Sequence, residues 1–352
     1  MLEERALEAA PPGAYSTRVS VPRVSVVILN WNGWADTVEC LASLAAATYP
    51  ALDVIVIDNA SRDDSIERIT SWLEGRELSW SMVELGGRDA PLVPRHIGQR
   101  REDGRPEVLF IASTTNLGFC AGNNVGMETA FGRGSDHVVL LNNDTVCSRE
   151  FLEPLVAAAE PHDVGLVGGV ICYADEPETI WWAGGLFLPF LETRRDFDRR
   201  PLAELDRRTP FETDWISGCM TLVPRRVFES VGGYDEDFFI WSEEWDLSLR
   251  VRHHGYRLMV EPSSRIYHKV ARSLGDLAPL SYYYGTRNRL LLKRKHLSAP
   301  LRWLFLSVFL PTRIVRFAGF VLTGRGQVAA AGFHALADYT RGRVAKWERQ
   351  RD

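Results

Sequence analysis

The stretch Leu140-Leu141-Asn142-Asn143-Asp144-Thr145 follows Val138-Val139, so an apolar run ends in two amides and a carboxylate. A carboxylate at the end of a buried strand can bring an oxygen ligand to a hard divalent cation. A plain Asn/Asp turn, with Asp144 capping a helix near Ser148, fits the same six residues. A second acidic cluster, Ile240-Trp241-Ser242-Glu243-Glu244-Trp245-Asp246, opens a stretch with helical character. Acidic side chains favour the positive end of a helix dipole, which accounts for part of this pattern. The dipole does not account for the apolar approach Phe238-Phe239-Ile240-Trp241, which suits a partly dry site where a carboxylate could accept a proton. His268, within Ile266-Tyr267-His268-Lys269, adds a third polar group, although a lone histidine is more often structural or surface-exposed.

The elements that must carry these groups alternate. Residues 24–29 (VSVVIL) and 53–57 (DVIVI) are apolar and β-branched, as parallel strands covered on both faces require. Residues 107–112 and 137–141 predict two more strands, with helices over 36–47, from 63–64 to 73, and over 123–131. Strand and helix in alternation predict a doubly wound α/β unit. Ligands of such sheets bind beyond the carboxyl ends of the strands. The polar clusters Asn30-Trp31-Asn32, Asp58-Asn59-Ala60-Ser61, Asn116-Leu117-Gly118-Phe119 and Asn142-Asn143-Asp144 fall there. Residues 1–20 read as a loose tail, 85–106 as a surface loop and 192–210 as a solvated, charged excursion.

The chain has 352 residues, 45% of them hydrophobic and 25% charged, with a formal net charge of -5 that argues against a general nucleic-acid binder. The charge is uneven. Residues 277–352 hold 14 Lys and Arg against 3 Asp and Glu, a net of +11, so residues 1–276 carry -16. The basic part also contains the apolar stretches 301–310 and 314–322, separated by Pro311-Thr312-Arg313 and each too short to span a bilayer. Such segments suit amphipathic helices lying in a membrane surface, with Arg and Lys facing anionic lipid. The five cysteines lack metal or disulfide spacing and read as reduced thiols, and the acidic N-terminus lacks the apolar core of a signal peptide. No GxGxxG follows the first strand, which sets a dinucleotide oxidoreductase aside.

Seven segments in order resemble family 2 glycosyltransferases of the GT-A fold, in particular the bacterial rhamnosyltransferase-like group. They are SVVILNWNG (25–33), VIDNASRDDS (56–65), NLGFCAGNN (116–124), LLNNDT (140–145), GCMTLVPRRVFESVGGYDEDFF (218–239), EEWDLSLR (243–250) and IYHKVARS (266–273). The resemblance implies a mainly parallel central sheet flanked by helices over 21–275, divided into a nucleotide-binding half (21–145) and an acceptor half (146–275). A basic, amphipathic, membrane-associating helical region over 276–352 then follows.

It also implies roles. Asp58 would accept from N3–H of a uracil or thymine, framed by Asn30 and Trp31. Asn116, Gly118, Asn123, Asn124, Asn142 and Asn143 would approach ribose and diphosphate, with a helix start near Asn123 offering N–H groups to the anion. The family's Asp-x-Asp becomes Asn142-Asn143-Asp144, leaving Asp144 as the metal ligand, with His268 completing the shell of a Mg2+ or Mn2+ ion. Lys269 or Arg272 would add positive charge. Glu244 would be the catalytic base, with Glu243 as neighbour and Trp182, Gly218 and Cys219 lining the acceptor site.

The expectation is thus an inverting, metal-assisted transferase of hexosyl type. It would move a sugar from a UDP- or dTDP-sugar to a saccharide or polyprenyl-linked acceptor in cell-surface glycan assembly. The protein would be cytoplasmic and peripherally attached to the inner face of the cell membrane. The alternative is a catalytically inactive nucleotide- or glycan-binding protein on the same fold, for which Asn142 in place of an aspartate is the support.

Overall fold

The computed structural model describes residues 21–76, 78–97, 106–206, 208–270, 278–344 and 347. The expected tail 1–20, Arg272 and the expected junction at 275–276 lie outside them. The strands are β1 (Val24–Asn30), β2 (Leu52–Asp58), β3 (Trp80–Leu85), β4 (Leu92–Ile97), β5 (Glu107–Ser113), β6 (His137–Asn142), β7 (Thr145–Cys147), β8 (Val164–Tyr173), β9 (Ile180–Trp182), β10 (Gly185–Leu188), β11 (Glu192–Arg195), β12 (Phe211–Glu212), β13 (Met220–Pro224) and β14 (Arg257–His268). The helices are α1 (Trp34–Ala45), α2 (Ser65–Gly75), α3 (Gly118–Gly132), α4 (Leu152–Ala159), α5 (Arg225–Val231), α6 (Glu243–His253), α7 (Ala278–His296), α8 (Ala299–Leu322) and α9 (Gly326–Thr340).

One large sheet runs β12-β14-β8-β13-β6-β1-β2-β5-β3-β4, with β7 on β14 and β9 on β8. The β6-β1-β2-β5-β3 block is parallel, and β13 is inserted antiparallel beside β6. Every residue of VSVVILN except Leu29 is buried, because helices cover both faces. Register then sets the site: Asn30 lies opposite Asp58, and Leu29 opposite Asn142. Three polar strand ends therefore meet at one edge.

Helix α3 lies very close to this block. A Cβ at Gly122 would meet Leu29 Cδ1 at 2.6 Å, and one at Gly126 would meet Val27 Cγ1 at 2.3 Å and Ile57 Cδ1 at 2.9 Å. Glycine at two positions four residues apart, on one helix face, sets this spacing.

Several expectations change. Residues 85–106 are not simply a surface loop, because β4 pairs antiparallel with β3 and extends the sheet. The charged stretch 192–210 is not a solvated excursion. β11 pairs with β10, while Leu202 and Leu205 form a small core with Val170, Cys172, Ile180 and Ala183. Alternating charge hid a hairpin whose apolar partners come from elsewhere in the chain.

The basic C-terminal region changes most. The cations of α7 turn towards the protein: Arg287 is 1% exposed and Lys293 2%. Arg289 pairs with Glu192, Lys295 with Asp235 and Asp237, and His296 with Asp246 at 2.8 Å. Helix α8 runs unbroken through Pro311 and is, among the described residues, the helix long and apolar enough to cross a membrane. Proline removes one helical hydrogen bond there, on an exposed face, without ending the helix. Two arginines of α8 have partners within the protein, since Arg302 donates to the Arg294 carbonyl and Arg313 to the Tyr282 hydroxyl, while Arg316 is exposed. The outer face is left apolar, with Leu301, Leu304, Val308, Val315 and Leu322 in one exposed stripe.

Gly126→Ala tests the spacing of α3. Alanine gains about 1 kcal/mol in helix propensity, but overpacking against a branched valine costs about 1–3 kcal/mol. With a 2.3 Å approach the second effect wins, and thermal unfolding should shift downward. An unchanged or higher Tm would show that α3 moves off the sheet without cost.

Candidate active site

At the edge formed by β1 and β2, Asp58 is fully buried. Its Oδ1 accepts from Asn30 Nδ2 at 2.7 Å and from Ser61 Oγ at 2.6 Å, and its Oδ2 accepts from Ser61 N at 3.0 Å. Asn30 is fixed in turn, because Thr37 Oγ1 donates to its Oδ1 at 2.8 Å. Next to this network Trp31 is 44% exposed, a free aromatic face directly after a strand end. Asn59 donates to the Gly118 carbonyl and to Asn116 Oδ1, tying the second and third polar clusters together.

Asp144 follows β6 in the turn before β7. Its two oxygens each lie 3.2 Å from His268 Nε2, at the end of β14. β7 and β14 set this pairing, with His268 opposite Thr145 and Lys269 N donating to the Asp144 carbonyl at 3.0 Å. Asp144 Oδ1 and His268 Nδ1 are both buried without a hydrogen-bond partner. The Asp144 carboxylate and the His268 Nε2 beside it, with Asp144 Oδ1 lacking a hydrogen-bond partner, fit a divalent cation as a partial shell. Among the described residues no cluster of three or more His, Cys, Asp and Glu side chains forms a full protein shell.

Glu244 sits in the first turn of α6 and accepts from Gly218 N at 2.6 Å through Oε2. Burial pushes its carboxyl up to about 7, against the pull of the Gly218 N–H and of Arg195. Glu243 is more deeply buried and rises to about 8, through burial first and the charge of Glu244 second. At neutral pH the negative charge of this pair therefore resides mainly on Glu244. Asp246 behaves oppositely. His296 and Arg250 hold it ionised, and its pKa lies below the usual range despite burial.

The two acidic centres converge on adjacent residues of one segment. Glu244 holds Gly218 N, while the Cys219 carbonyl accepts from Asn142 N at 3.0 Å, two residues before Asp144. The Cys219 thiol is pushed well up by burial and then by the charges of Asp144 and Glu244, so both carboxylates act on the same sulfur. They share one end of the sheet although a hundred positions separate them in the chain.

Other expected site residues turn inward. Trp182 is fully buried against Trp215, with centroids 5.7 Å apart, and offers no face to a sugar. Its neighbour Trp181 points the other way, as alternate strand residues must. The Trp181 ring stands edge-on to His268 at 4.6 Å and lies under the Arg195 guanidinium at 5.0 Å. The Cys219 side chain is buried, so only its backbone borders the site.

Asn124 clamps Tyr234, donating to its carbonyl and accepting from its N–H at 2.8 Å each, and it reaches no open surface. Asn123 donates to the Phe119 carbonyl within its own helix. That helix begins at Gly118 rather than near Asn123, and the N–H groups of Phe119 and Cys120 already donate to the Phe239 carbonyl. Gly118, at φ +80°, makes room for the Phe239 ring. Asn143 donates to Thr37 Oγ1 at 3.0 Å and braces α1. Lys269 is spent on Asp36 and Glu39, at 2.6 Å each.

Sequence reasoning missed Arg195, and of the pair Trp181-Trp182, either of which could stack on a sugar ring, it settled on Trp182. A tryptophan pair on a strand must put one ring on each face, but its sequence does not say which.

The fold has counterparts in known proteins. The chain superimposes on a mannosyltransferase from Pyrobaculum calidifontis in complex with GDP-Man and Mn2+, with TM-score 0.55 at 16% identity over 97% of this chain and 92% of that one. The fold is that of the GT-A glycosyltransferases. A dTDP-rhamnosyl transferase, RfbF, of Shigella flexneri is 22% identical over 198 residues, covering 54% of this chain and 64% of its own length. The N-acetylglucosaminyl-diphospho-decaprenol L-rhamnosyltransferase of Mycobacterium tuberculosis is 36% identical over 93 residues, covering 25% of this chain and 30% of its own length. The chain thus spans less than two thirds of either relative. Residues 25–86 match the family described as glycosyl transferase family 2, and residues 102–280, just over half of the chain, match glycosyltransferase like family 2. The acidic turn at Asp144 and the start of α6 both fall within residues 102–280, and this chain belongs to glycosyltransferase family 2.

Proposed function

We propose that the chain is an inverting glycosyltransferase that moves a sugar from a UDP- or dTDP-sugar to a saccharide on a lipid carrier, in cell-surface glycan assembly. The observation that carries this reading is the convergence of Asp144 and Glu244 on Gly218-Cys219. The activities for which the two rhamnosyltransferase relatives are named support a deoxyhexose donor and a diphospho-polyprenyl acceptor.

Asn30, Asp58 and Trp31 hold the base, with Asn116 and Asn142 nearer the ribose. Asp58 would exchange one internal hydrogen bond for the N3–H of the pyrimidine. Asp144 and His268 would hold Mg2+ or Mn2+, which when bound offsets the charge that grows on the diphosphate leaving group. Glu244 takes the proton of the acceptor hydroxyl as its oxygen bonds to the anomeric carbon. The bond from that carbon to the diphosphate breaks on the opposite face, and the nucleoside diphosphate departs with the electron pair. The Gly218 N–H aims the Glu244 carboxylate, and Trp181 with Arg195 borders the sugar. The exposed stripe of α8 seats the enzyme on the inner membrane surface, where a polyprenyl acceptor lies.

Replacing Glu244 with Gln should cut kcat by about 10²–10⁴-fold, while UDP or dTDP still raises the Tm by binding the folded form. A wild-type protein that binds nucleotide but turns over no sugar would instead support the catalytically inactive alternative. Because burial raises Glu244 to about 7, the proton-accepting form is scarce below that pH and dominant above it. Turnover should therefore climb with pH through an acid limb centred near 7. A limb centred near 4.5, the ordinary value for a glutamate, would contradict the buried base.

Asp144→Asn should abolish any added thermal shift that Mn2+ gives in the presence of UDP or dTDP. An undiminished shift would move the cation elsewhere. In vesicle flotation, V308D combined with V315D should release the protein from lipid while leaving turnover on a soluble acceptor intact. Retained flotation would remove α8 from the membrane contact.

A further inference from the structure

Glu244 is reached through a contorted segment. Immediately before α6, Phe239, Trp241 and Ser242 have φ of 62°, 66° and 74°, and none of them is glycine. Left-handed backbone at non-glycine residues persists only where surrounding structure over-determines it. Here that structure is α7. Asn288, fully buried, donates from one amide nitrogen to the carbonyls of Phe238 at 2.8 Å, Ile240 at 2.7 Å and Trp241 at 2.7 Å. Arg287 Nε fixes the other end of that side chain by donating to Asn288 Oδ1 at 2.9 Å. Its Nη2 reaches the carbonyls of Asp237 at 2.8 Å and Phe238 at 2.9 Å. One turn earlier, the Tyr284 ring stacks on Phe239 with centroids 5.4 Å apart and planes 11° from parallel. The guanidinium of Arg287 covers Tyr284 at 4.9 Å.

These residues lie at i, i+3 and i+4, so one helix face grips the whole segment. The grip reaches the site from two sides. The Phe239 carbonyl takes the first N–H groups of α3, and Ser242 O accepts from Asp246 N to begin α6, where Glu244 follows.

We propose that Asn288, oriented by Arg287, is a positioning residue for Glu244. By fixing the backbone of residues 238–242, α7 sets the rotation of the first turn of α6, and with it the direction of the Glu244 carboxylate toward Gly218. The helix is then part of the active site, although neither Asn288 nor Arg287 touches substrate. This rests on Glu244 being the base.

The test compares four full-length variants by steady-state kinetics and thermal unfolding. N288A should lower kcat by about 100-fold, the scale of a 1 Å misplacement of a reacting group. KM for the sugar nucleotide should stay within about twofold, because Asp58 and Asp144 sit on other elements. Leu290→Ala removes a buried leucine from the same helix, on the face against Phe305 and Phe309. It should lower the Tm while leaving kcat within about twofold. E244Q anchors the scale.

Should N288A not fold, R287K carries the test. It keeps the charge but loses the planar fork that orients Asn288, and kcat should drop about tenfold with KM unmoved. The proposal is overturned if N288A, or R287K in its place, retains wild-type kcat, or if kcat falls in step with Tm alike in these variants and in L290A. A wild-type kcat for E244Q would instead defeat the base assignment itself.

Discussion

Three backbone carbonyls, those of Phe238, Ile240 and Trp241, converge on one side-chain amide nitrogen of Asn288. An amide nitrogen has two hydrogens, so the three acceptors at 2.7–2.8 Å share them and leave the nitrogen no donor capacity for another partner. Each non-glycine residue at positive φ costs roughly 1–3 kcal/mol, and three such residues stand in this segment. No local preference of Phe, Trp or Ser produces that backbone. The helix supplies what the segment lacks, and α3 and α6 both begin from the result.

The electrostatics of the site depend on the same arrangement. Residues 243 and 244 are placed where burial outweighs solvation, and both carboxyls rise toward neutrality. Asp246, two residues on, faces His296 and Arg250 and falls instead. Three carboxylates within four residues thus have different protonation behaviour, set by which neighbour the helix turns each one toward. The helix dipole alone would have treated them alike. At the far end of the site, Asp144 and His268 keep unused polar capacity in a buried setting, which structural polar groups seldom retain.

The shared edge of β1, β2 and β6 was legible in the sequence because its physics is local. VSVVILN, LDVIVID and HVVLLN are apolar runs that end in polar residues, and parallel register brings their ends together. Glu244 and Asp144 were readable as chemistry, but their shared position depends on an antiparallel strand, β13, inserted beside β6. The direction in which the α7 cations turn was not legible, for a physical reason. A cluster of Arg and Lys beside apolar residues looks the same whether its partners are lipid phosphates or the backbone carbonyls of a distant loop. Asn124 and Asn143 resembled ligand contacts because asparagine serves backbone bracing and ligand binding with the same amide. The two tryptophans at 181 and 182 had to split between faces, and strand pairing alone decided which ring met the core.

The proposed transfer requires a cation site and a proton acceptor that face each other across one donor pocket. Crystals grown with UDP or dTDP and Mn2+ test it directly through the anomalous signal of manganese. A single strong peak should appear bonded to Asp144 and His268, with the nucleotide's diphosphate against it and its terminal phosphate turned toward Glu244. Manganese bound away from Asp144, or a diphosphate on the side of the cation remote from Glu244, would contradict it.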